Sequence, residues 1–520
     1  MKALILGVML GIAGNAAALD GAAVQKLAFG DGDERSAAVA ALVAEGDPRA
    51  AALLQSVSDG EVQTSGKRVL VVKGEQATDA VTGEAVSPLP EDLEDVVANN
   101  RLRREIEGAL AALKLLAPER AVRLEAAKSL AEGADAAMLP LVKKALGRET
   151  DPAIRPLLEL TAAGMEIKSG DREVRLAAIR RLGDSGSPNS RTLLAAAAAD
   201  PDADVQLAAQ KGLRAVEGRL AWGERAGLLF AGVSLGSILL LAALGLAITY
   251  GLMGVINMAH GELIMIGAYT TYVVQNFFKG SPLFDWYLLA AVPASFLVSA
   301  AVGMALERAV IRWLYGRPLE TLLATWGISL VLIQLVRTLF GAQNVQVENP
   351  SFMSGGVEAL SGVVLPWSRI VIIFFAGTVL LGMWLLLTRT RLGLFVRGVT
   401  QNRAMAACVG VPTARVDTWA FGLGSGIAGL AGCALSQLGN VGPDLGQAYI
   451  VDSFMVVVFG GVGQLAGTVY AALILGFANK FLESVSGAVV AKIAVLVFII
   501  FFIQRRPQGL FALRGRALDA

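Results

Sequence analysis

Apolar and polar positions divide the chain in two. Through about residue 225, Arg, Lys, Asp and Glu recur every few positions; from Ala226 onward the chain is a succession of apolar runs joined by short polar segments. A helix that crosses a bilayer needs about 20 apolar residues. Nine runs fit this pattern: 227–250, 255–277, 286–307, 319–340, 369–388, 416–438, 448–460, 465–482 and 488–504. Two of them are short and glycine-rich, so broken or re-entrant helices are expected among them. The fold class is therefore all-α, a polytopic membrane domain of about nine crossings preceded by a separate polar domain.

The polar half carries a repeat. Residues 122–130 (VRLEAAKSL), 174–182 (VRLAAIRRL) and 205–213 (VQLAAQKGL) share the pattern V-[RQ]-L-x-A-x-[KR]-x-L. Its apolar positions leave one broad face on a helix. An acidic residue, Glu119, Asp171 or Asp202, stands three places before each Val, where it favours a helix N-terminus. Paired short helices about 30 residues apart resemble HEAT-like solenoids; a plain helical bundle is the simpler alternative. Before these repeats, residues 67–73 (KRVLVVK) and 80–86 (AVTGEAV) are expected to pair as a small β-ribbon.

Residues 1–18 read as a secretory signal: Lys2, a short apolar core, and the small-residue site Ala16-Ala17-Ala18. The expected organisation is thus a signal peptide at 1–18, an extracytoplasmic helical-repeat domain at 19–218 and a membrane domain at 219–520. Arginines orient the membrane domain. Arg308, Arg312 and Arg317 follow the third run; Arg389, Arg391, Arg397, Arg403 and Arg415 fill the gap after the fifth; Arg505, Arg506, Arg514 and Arg516 follow the last. These mark the cytoplasmic side and put the C-terminus there.

Composition changes this picture little. Mean hydropathy is +0.59 and 55% of residues are hydrophobic, as in a membrane protein. The 45 Lys and Arg nearly balance the 44 Asp and Glu, so no overall charge points to nucleic acid. The two cysteines, Cys408 and Cys433, both lie in the membrane half, so no disulfide framework holds the polar domain.

The candidate chemistry is concentrated in residues 250–272 (YGLMGVINMAHGELIMIGAYTTY), which hold Asn257, Glu262 and His260, the one histidine of the chain. Polar groups at membrane depth are costly and usually face a protein interior or a substrate path. Asn257, His260, Gly261 and Glu262 are therefore candidate pathway residues, with helix–helix packing as the alternative. Gln334 and Asp452 also lie at membrane depth, while Arg337 and Lys492 sit near run ends and are expected to snorkel. Gly460 and Gly461 interrupt an apolar run, and a break there frees backbone groups that need a protein, water or substrate partner. Residues 401–409 can form a short helix with Gly410 as its stop. One histidine rules out a multi-histidine metal site, and there is no Walker loop, no C-x-x-C and no G-x-S-x-G. Neither a cofactor nor enzymatic activity is expected.

Residues 251–269 (GLMGVINMAHGELIMIGAY), the segment RGVTQNRAMAACVGVPTAR followed by AFGLGSGIAGLAG, and FGGVGQLAGTVYAALILG resemble the branched-chain amino acid type of ABC permease over roughly 227–510. The repeat-bearing extension resembles that of the urea-type permease subunit of this family. This resemblance implies a bacterial inner-membrane urea importer. Its partners would be a second permease subunit, two cytoplasmic ATPase subunits and a periplasmic urea-binding protein. Asn257, His260, Gly261 and Glu262 would then line the pathway. Asn402, Arg403, Met405, Ala406 and Gly410 would belong to the helix that docks into an ATPase, with Met405, Val409 and Val411 filling a groove and Arg403 at its rim. A branched-chain amino acid or short-amide importer, and a membrane sensor or scaffold, are the alternatives.

Overall fold

The computed structural model describes residues 19–511 apart from 46–47, 75, 89, 91, 134–137 and 361–362. The expected signal peptide, and Arg514 and Arg516, lie outside the described residues. The chain forms two compact units that divide between Ala221 and Trp222.

The first unit opens with α1 (Gly21–Phe29), α2 (Gly32–Glu45) and α3 (Pro48–Ser58). A small antiparallel sheet follows, with β1 (Val62–Ser65), β2 (Arg68–Lys73), β3 (Gln76–Asp79), β4 (Ala85–Val86) and β5 (Glu94–Asp95) in the order β4-β3-β2-β1-β5. The sheet is larger than the expected two-stranded ribbon, and 80–86 is mostly turn. The Asp79 carboxylate accepts the N–H groups of Val81 and Thr82 at 2.9 and 3.1 Å, and Gly83 takes φ +75°, which leaves only Ala85 and Val86 to pair. Such side-chain-to-backbone bonds favour turns over strands.

Helices then dominate: α4 (Asn100–Lys114), α5 (Arg120–Gly133), α6 (Leu139–Arg148), α7 (Arg155–Glu166), α8 (Arg172–Asp184), α9 (Pro188–Ala197) and the start of α10 (Ala203–Met253). The sequence repeat falls on α5, α8 and α10. Its alanines and leucines are the buried face, Ala126, Ala127 and Leu130 in α5 and Ala178, Ile179 and Leu182 in α8. Asp171 caps α8 by accepting the Glu173 N–H at 2.9 Å. Two copies also build the same ion pairs one repeat apart. Arg120 meets Asp151 at 2.5 Å and Arg123 meets Glu149 at 2.8 Å; Arg172 meets Asp202 at 3.1 Å and Arg175 meets Asp200 at 3.4 Å. The third copy of the motif and the first apolar run share one helix, α10.

The second unit contains the rest of α10, then α11 (His260–Phe278), α12 (Tyr287–Ala309), α13 (Pro318–Phe340), a hairpin of β6 (Gly356–Leu360) and β7 (Val363–Pro366), and α14 (Trp367–Arg389). Two shorter helices, α15 (Arg391–Gln401) and α16 (Arg403–Cys408), precede α17 (Thr413–Ser436), α18 (Leu445–Gly460), α19 (Leu465–Ser486) and α20 (Ala488–Arg505). Among the described residues, seven helices are long and apolar enough to cross a membrane: α10, α12, α13, α14, α17, α19 and α20. Nine crossings were expected. The other two runs form α11, whose first residue is His260 rather than Val255, and α18. At 16 residues, α18 is about 24 Å long, short of a roughly 30 Å hydrocarbon core.

Helix α17 is the centre of this unit and is buried along nearly its whole length. Its glycines explain why. A Cβ on Gly426 would stand 2.5 Å from the Phe296 ring of α12, and one on Gly424 would stand 2.7 Å from the Gly245 carbonyl of α10. Gly429 likewise admits the Ser295 and Ser299 backbone and side chains of α12, and Gly432 admits the Ile264 carbonyl of α11. Where hydrophobic burial no longer separates helix from lipid, close approach of small residues is what packs helices.

Candidate functional site

The non-helical turn at 254–259 and the first turns of α11 are gripped from three sides. Gly254, at φ +70°, bends the chain out of α10. The Thr325 hydroxyl of α13 accepts the Met258 N–H at 3.1 Å and lies 3.4 Å from the Ile256 carbonyl, so α13 pins the turn. His260 faces α10: its Nε2 is 2.9 Å from the Ala242 carbonyl, and a Cβ on Gly245 would come 2.8 Å from the imidazole Cε1. Gly261 packs against α18, where a Cβ would stand 2.6 Å from the Gly446 carbonyl.

Glu262 lies roughly 200° around α11 from His260. It is buried, Ser329 of α13 is a polar neighbour, and its Oε2 has no hydrogen-bond partner. Asn257 is also buried. Its Oδ1 accepts the Ala259 N–H at 3.1 Å and its Nδ2 is unpaired. One and two turns beyond Glu262, Ile266 and Tyr269 follow; the Tyr269 ring lies 4.8 Å from Phe340 of α13, and its buried hydroxyl is again unpaired. Buried polar groups are normally paired. Glu262 and Tyr269 stand on one side of α11, two turns apart; Asn257 lies in the turn before it, and Thr325 and Ser329 belong to the buried stripe of α13. These residues are the candidate polar seam.

The remaining expected pathway residues lie elsewhere. Gln334 is exposed, outside the buried stripe Thr321, Thr325, Ser329, Ile333 and Val336 of α13. Asp452 of α18 is met by Lys492 of α20 at 3.3 Å. Lys492 therefore does not simply snorkel, nor does Arg337, which holds Asp444 at 2.8 Å. The break at Gly460 and Gly461 is real, with Gly461 at φ +102°. Its freed carbonyls are taken by the chain itself: the Leu510 N–H donates to Phe459 at 2.9 Å and the Phe511 N–H to Gly460 at 3.3 Å.

The expected short helix is α16. Asn402 caps it by accepting the Met405 N–H at 2.9 Å. Gly410, at φ +85°, ends it, and the N–H groups of Gly410 and Val411 donate to Ala407 and Ala406 at 3.1 and 3.0 Å. This is a Schellman-type stop. Met405 is 61% exposed and Val409 72%, whereas Ala406 is 5% exposed and faces inward, and Val411 packs on the core. Arg403 is not a free rim charge, because it is ion-paired with Asp417 of α17 and its guanidinium lies 4.9 Å over the Tyr315 ring.

Residues 228–504 match the family model of the branched-chain amino acid transport system permease component. The chain belongs to this family. The permease protein BraD of the high-affinity branched-chain amino acid transport system of Pseudomonas aeruginosa is 29% identical over 287 residues, 54% of this chain and 93% of that protein. LivH of Escherichia coli strain K12, a permease protein of the same kind of system, is 27% identical over 290 residues, 54% of this chain and 94% of LivH. The ribose import permease protein RbsC of Escherichia coli strain K12 is 28% identical over 229 residues, 40% of this chain and 68% of RbsC. No solved structure matches the chain.

Sequence reasoning missed a polar lattice of this permease beside α16. Glu307, at the end of α12, is fully enclosed. It accepts the Thr418 hydroxyl of α17 at 2.7 Å and the Tyr315 hydroxyl at 3.2 Å, and lies 3.6 Å from the Arg312 guanidinium. Arg312, in the 3-10 turn Ile311–Leu314, also reaches the Thr418 hydroxyl at 3.4 Å. Arg308, Arg312 and Arg317 read as one positive surface in the sequence; nothing in their spacing shows that Arg312 turns inward. Thr325, Ser329 and Tyr269 were missed as well, because single hydroxyls in an apolar run carry no pattern.

Proposed function

We propose that this permease forms part of the translocation pathway of an ABC importer for urea, and that the seam of Asn257, Glu262, Tyr269, Thr325 and Ser329 is where the solute passes. The observation that carries the substrate is the chemistry of the seam. It offers an amide, a carboxylate and hydroxyls, and among the described residues no Lys or Arg is hydrogen-bonded or ion-paired to any of them. Urea is small and neutral and can donate and accept at every edge, so such a lining suits it. An amino acid would need a cation for its carboxylate. The paired ion ladders of α5–α8 support reading the first unit as HEAT-like repeats, which resemble the extension of urea-type subunits.

On this reading the first unit is periplasmic and offers a face to a urea-binding protein. The C-terminus and α16 are cytoplasmic, a second permease completes the pathway, and two ATPase subunits supply energy. Met405 and Val409 project from α16 as the apolar contacts for an ATPase. The second reading, a branched-chain amino acid importer, is favoured by the names of the relatives. Uptake of labelled urea and labelled leucine by cells with and without the gene separates the two. Urea uptake that depends on the gene supports the proposal, and gene-dependent leucine uptake without urea uptake overturns it.

A further inference from the structure

We propose that Glu307, Arg312, Tyr315, Asp417 and Arg403 form the joint through which a movement of α16 reaches the buried seam. The inference rests on reading α16 as the surface that meets an ATPase.

Helix α16 is only six residues long and carries its own cap and stop, so it is a small rigid piece rather than a frayed loop. Its one charged anchorage is Arg403. That side chain is held twice, by the Asp417 carboxylate on α17 and by the face of the Tyr315 ring. Tyr315 is the shared member. Its ring lies under Arg403 while its hydroxyl donates to Glu307 on α12. A displacement of α16 therefore loads α17 through Asp417 and α12 through Tyr315 and Glu307.

Neither helix can absorb that load by sliding. Gly303 of α12 lies directly against Ser425 of α17, and Gly429 of α17 against Ser295 of α12. The same α17 meets α11 backbone to backbone at Gly267 and Gly429 and again at Gly432 and Ile264. Ser299 of α12 donates to the Leu263 carbonyl at 3.1 Å, next to Glu262. Close-packed contacts of this kind shift as units rather than deform.

The use of charge also calls for a reason. Asp417 and Glu307 are buried carboxylates, each met by a part-exposed guanidinium, and an apolar side chain at either position would carry no such desolvation cost. A planar guanidinium held by a carboxylate and a ring has a defined direction, which an apolar contact lacks. Tyr315, Glu307 and Asp417 are thus positioning residues. They do not touch the solute or the nucleotide.

The test uses the full importer in proteoliposomes, with labelled urea and leucine in parallel, and reads ATP hydrolysed per solute molecule moved. Tyr315→Phe keeps the ring under Arg403 and deletes only the bond to Glu307. It is expected to raise that ratio at least fivefold, with the complex still assembled and the KM for the loaded binding protein unchanged. Asp417→Asn should act in the same direction, and the swap Arg403→Asp with Asp417→Arg should recover most of what Arg403→Asp loses. An unchanged ratio in Tyr315→Phe, while Val409→Cys still crosslinks to an ATPase subunit, overturns the joint alone. The crosslink is read in a chain whose exposed Cys408 is replaced by Ser, and its failure with no other change than Val409→Cys overturns the reading of α16 and the joint with it.

Discussion

Gly432 of α17 lies against the Ile264 carbonyl of α11 with no room for a side chain between them, since a Cβ on Gly432 would overlap that oxygen. The carbonyl belongs to helix backbone and cannot step aside. Gly432→Val is therefore expected to force α11 and α17 apart, at a cost of at least about 1–3 kcal/mol, the usual range for overpacking. Gly377 of α14 is the control, because a Cβ there meets nothing within 4 Å. Gly377→Ala should leave stability unchanged or raise it by up to about 1 kcal/mol. Thermal denaturation of the full chain in detergent, followed by size-exclusion chromatography, separates the two. Equal melting temperatures would show that the α11–α17 contact is not constraining.

The three polar residues at the start of α11 are expected to behave differently. Glu262 and Asn257 carry unpaired groups toward the seam, so Glu262→Ala and Asn257→Leu should lower uptake tenfold or more while surface expression holds. His260 instead holds α10 through the Ala242 carbonyl in a space cleared by Gly245. His260→Ala removes this tie to α10, whose own ladder still pairs the Ala242 carbonyl, and opens a cavity, which costs about 2–3 kcal/mol. Its phenotype should be loss of folded protein, with near-normal uptake per surviving molecule. Gln334→Ala should do nothing. Quantifying uptake against surface protein decides each case.

In the first unit, pH is a lever on the repeated ion pairs. The hydrogen bond from Arg123 holds the Glu149 carboxyl below the usual carboxylate range, against the opposing effect of burial, and the hydrogen bond from Arg120 does the same for Asp151. Each folded-state pKa lies below its unfolded value. The stabilisation is therefore complete above about pH 5 and is lost as pH falls through the folded values. Hydrogen exchange of the full chain should show protection in α5–α7 constant from pH 8 to pH 5 and falling below about pH 4. Arg123→Met should cost about 2 kcal/mol of local protection at pH 7, because a buried carboxylate loses its charged donor. At pH 3 the gap should narrow to what the Arg123 bonds to the Ala117 and Pro118 carbonyls contribute. A gap as wide at pH 3 as at pH 7 would show that the pair with Glu149 is not what Arg123 stabilises.

Much of this architecture was legible in the sequence, for stated physical reasons. The apolar runs and the repeat each obey one periodicity, and α10, α12, α13, α14, α17, α19 and α20 follow from it. The stop at Gly410 and the break at Gly461 were legible because positive φ is a local property of glycine. Partner identity was not legible. Asp452 reads as a pathway residue until Lys492 is seen beside it, and Arg403 reads as a free charge until Asp417 and Tyr315 enclose it. Ala406 reads as a surface position because periodicity over six residues does not define a face. The seam at Thr325 and Ser329 depends on which side of α13 turns toward α11, and only the packing sets that.

On the proposed reading, the orientation of α16 sets which of its side chains an ATPase can touch. Met405 and Val409 are four residues apart and both exposed, so they stand on one side of the helix; Ala406, about 100° round from Met405, is buried against the chain itself. With the exposed native Cys408 replaced by Ser, a cysteine at Met405 or Val409 should crosslink to an ATPase subunit in membranes, and a cysteine at Ala406 should not. Met405→Asp places a charge where an apolar anchor is needed. Truncating such an anchor costs on the order of 2 kcal/mol, roughly thirtyfold in affinity, and the charge adds its desolvation. The expected result is an ATPase that purifies with the permease in substoichiometric amount and a matching loss of uptake. Salt separates this from Arg403. That side chain is committed to Asp417, so Arg403→Ala should disturb coupling with little added sensitivity of ATPase retention to ionic strength, whereas a true rim charge would be screened. Retention of the ATPase by Met405→Asp at wild-type level, with efficient crosslinking from Ala406→Cys, would mean that α16 rotates or unfolds in the assembled importer and that the docking face is the one now buried.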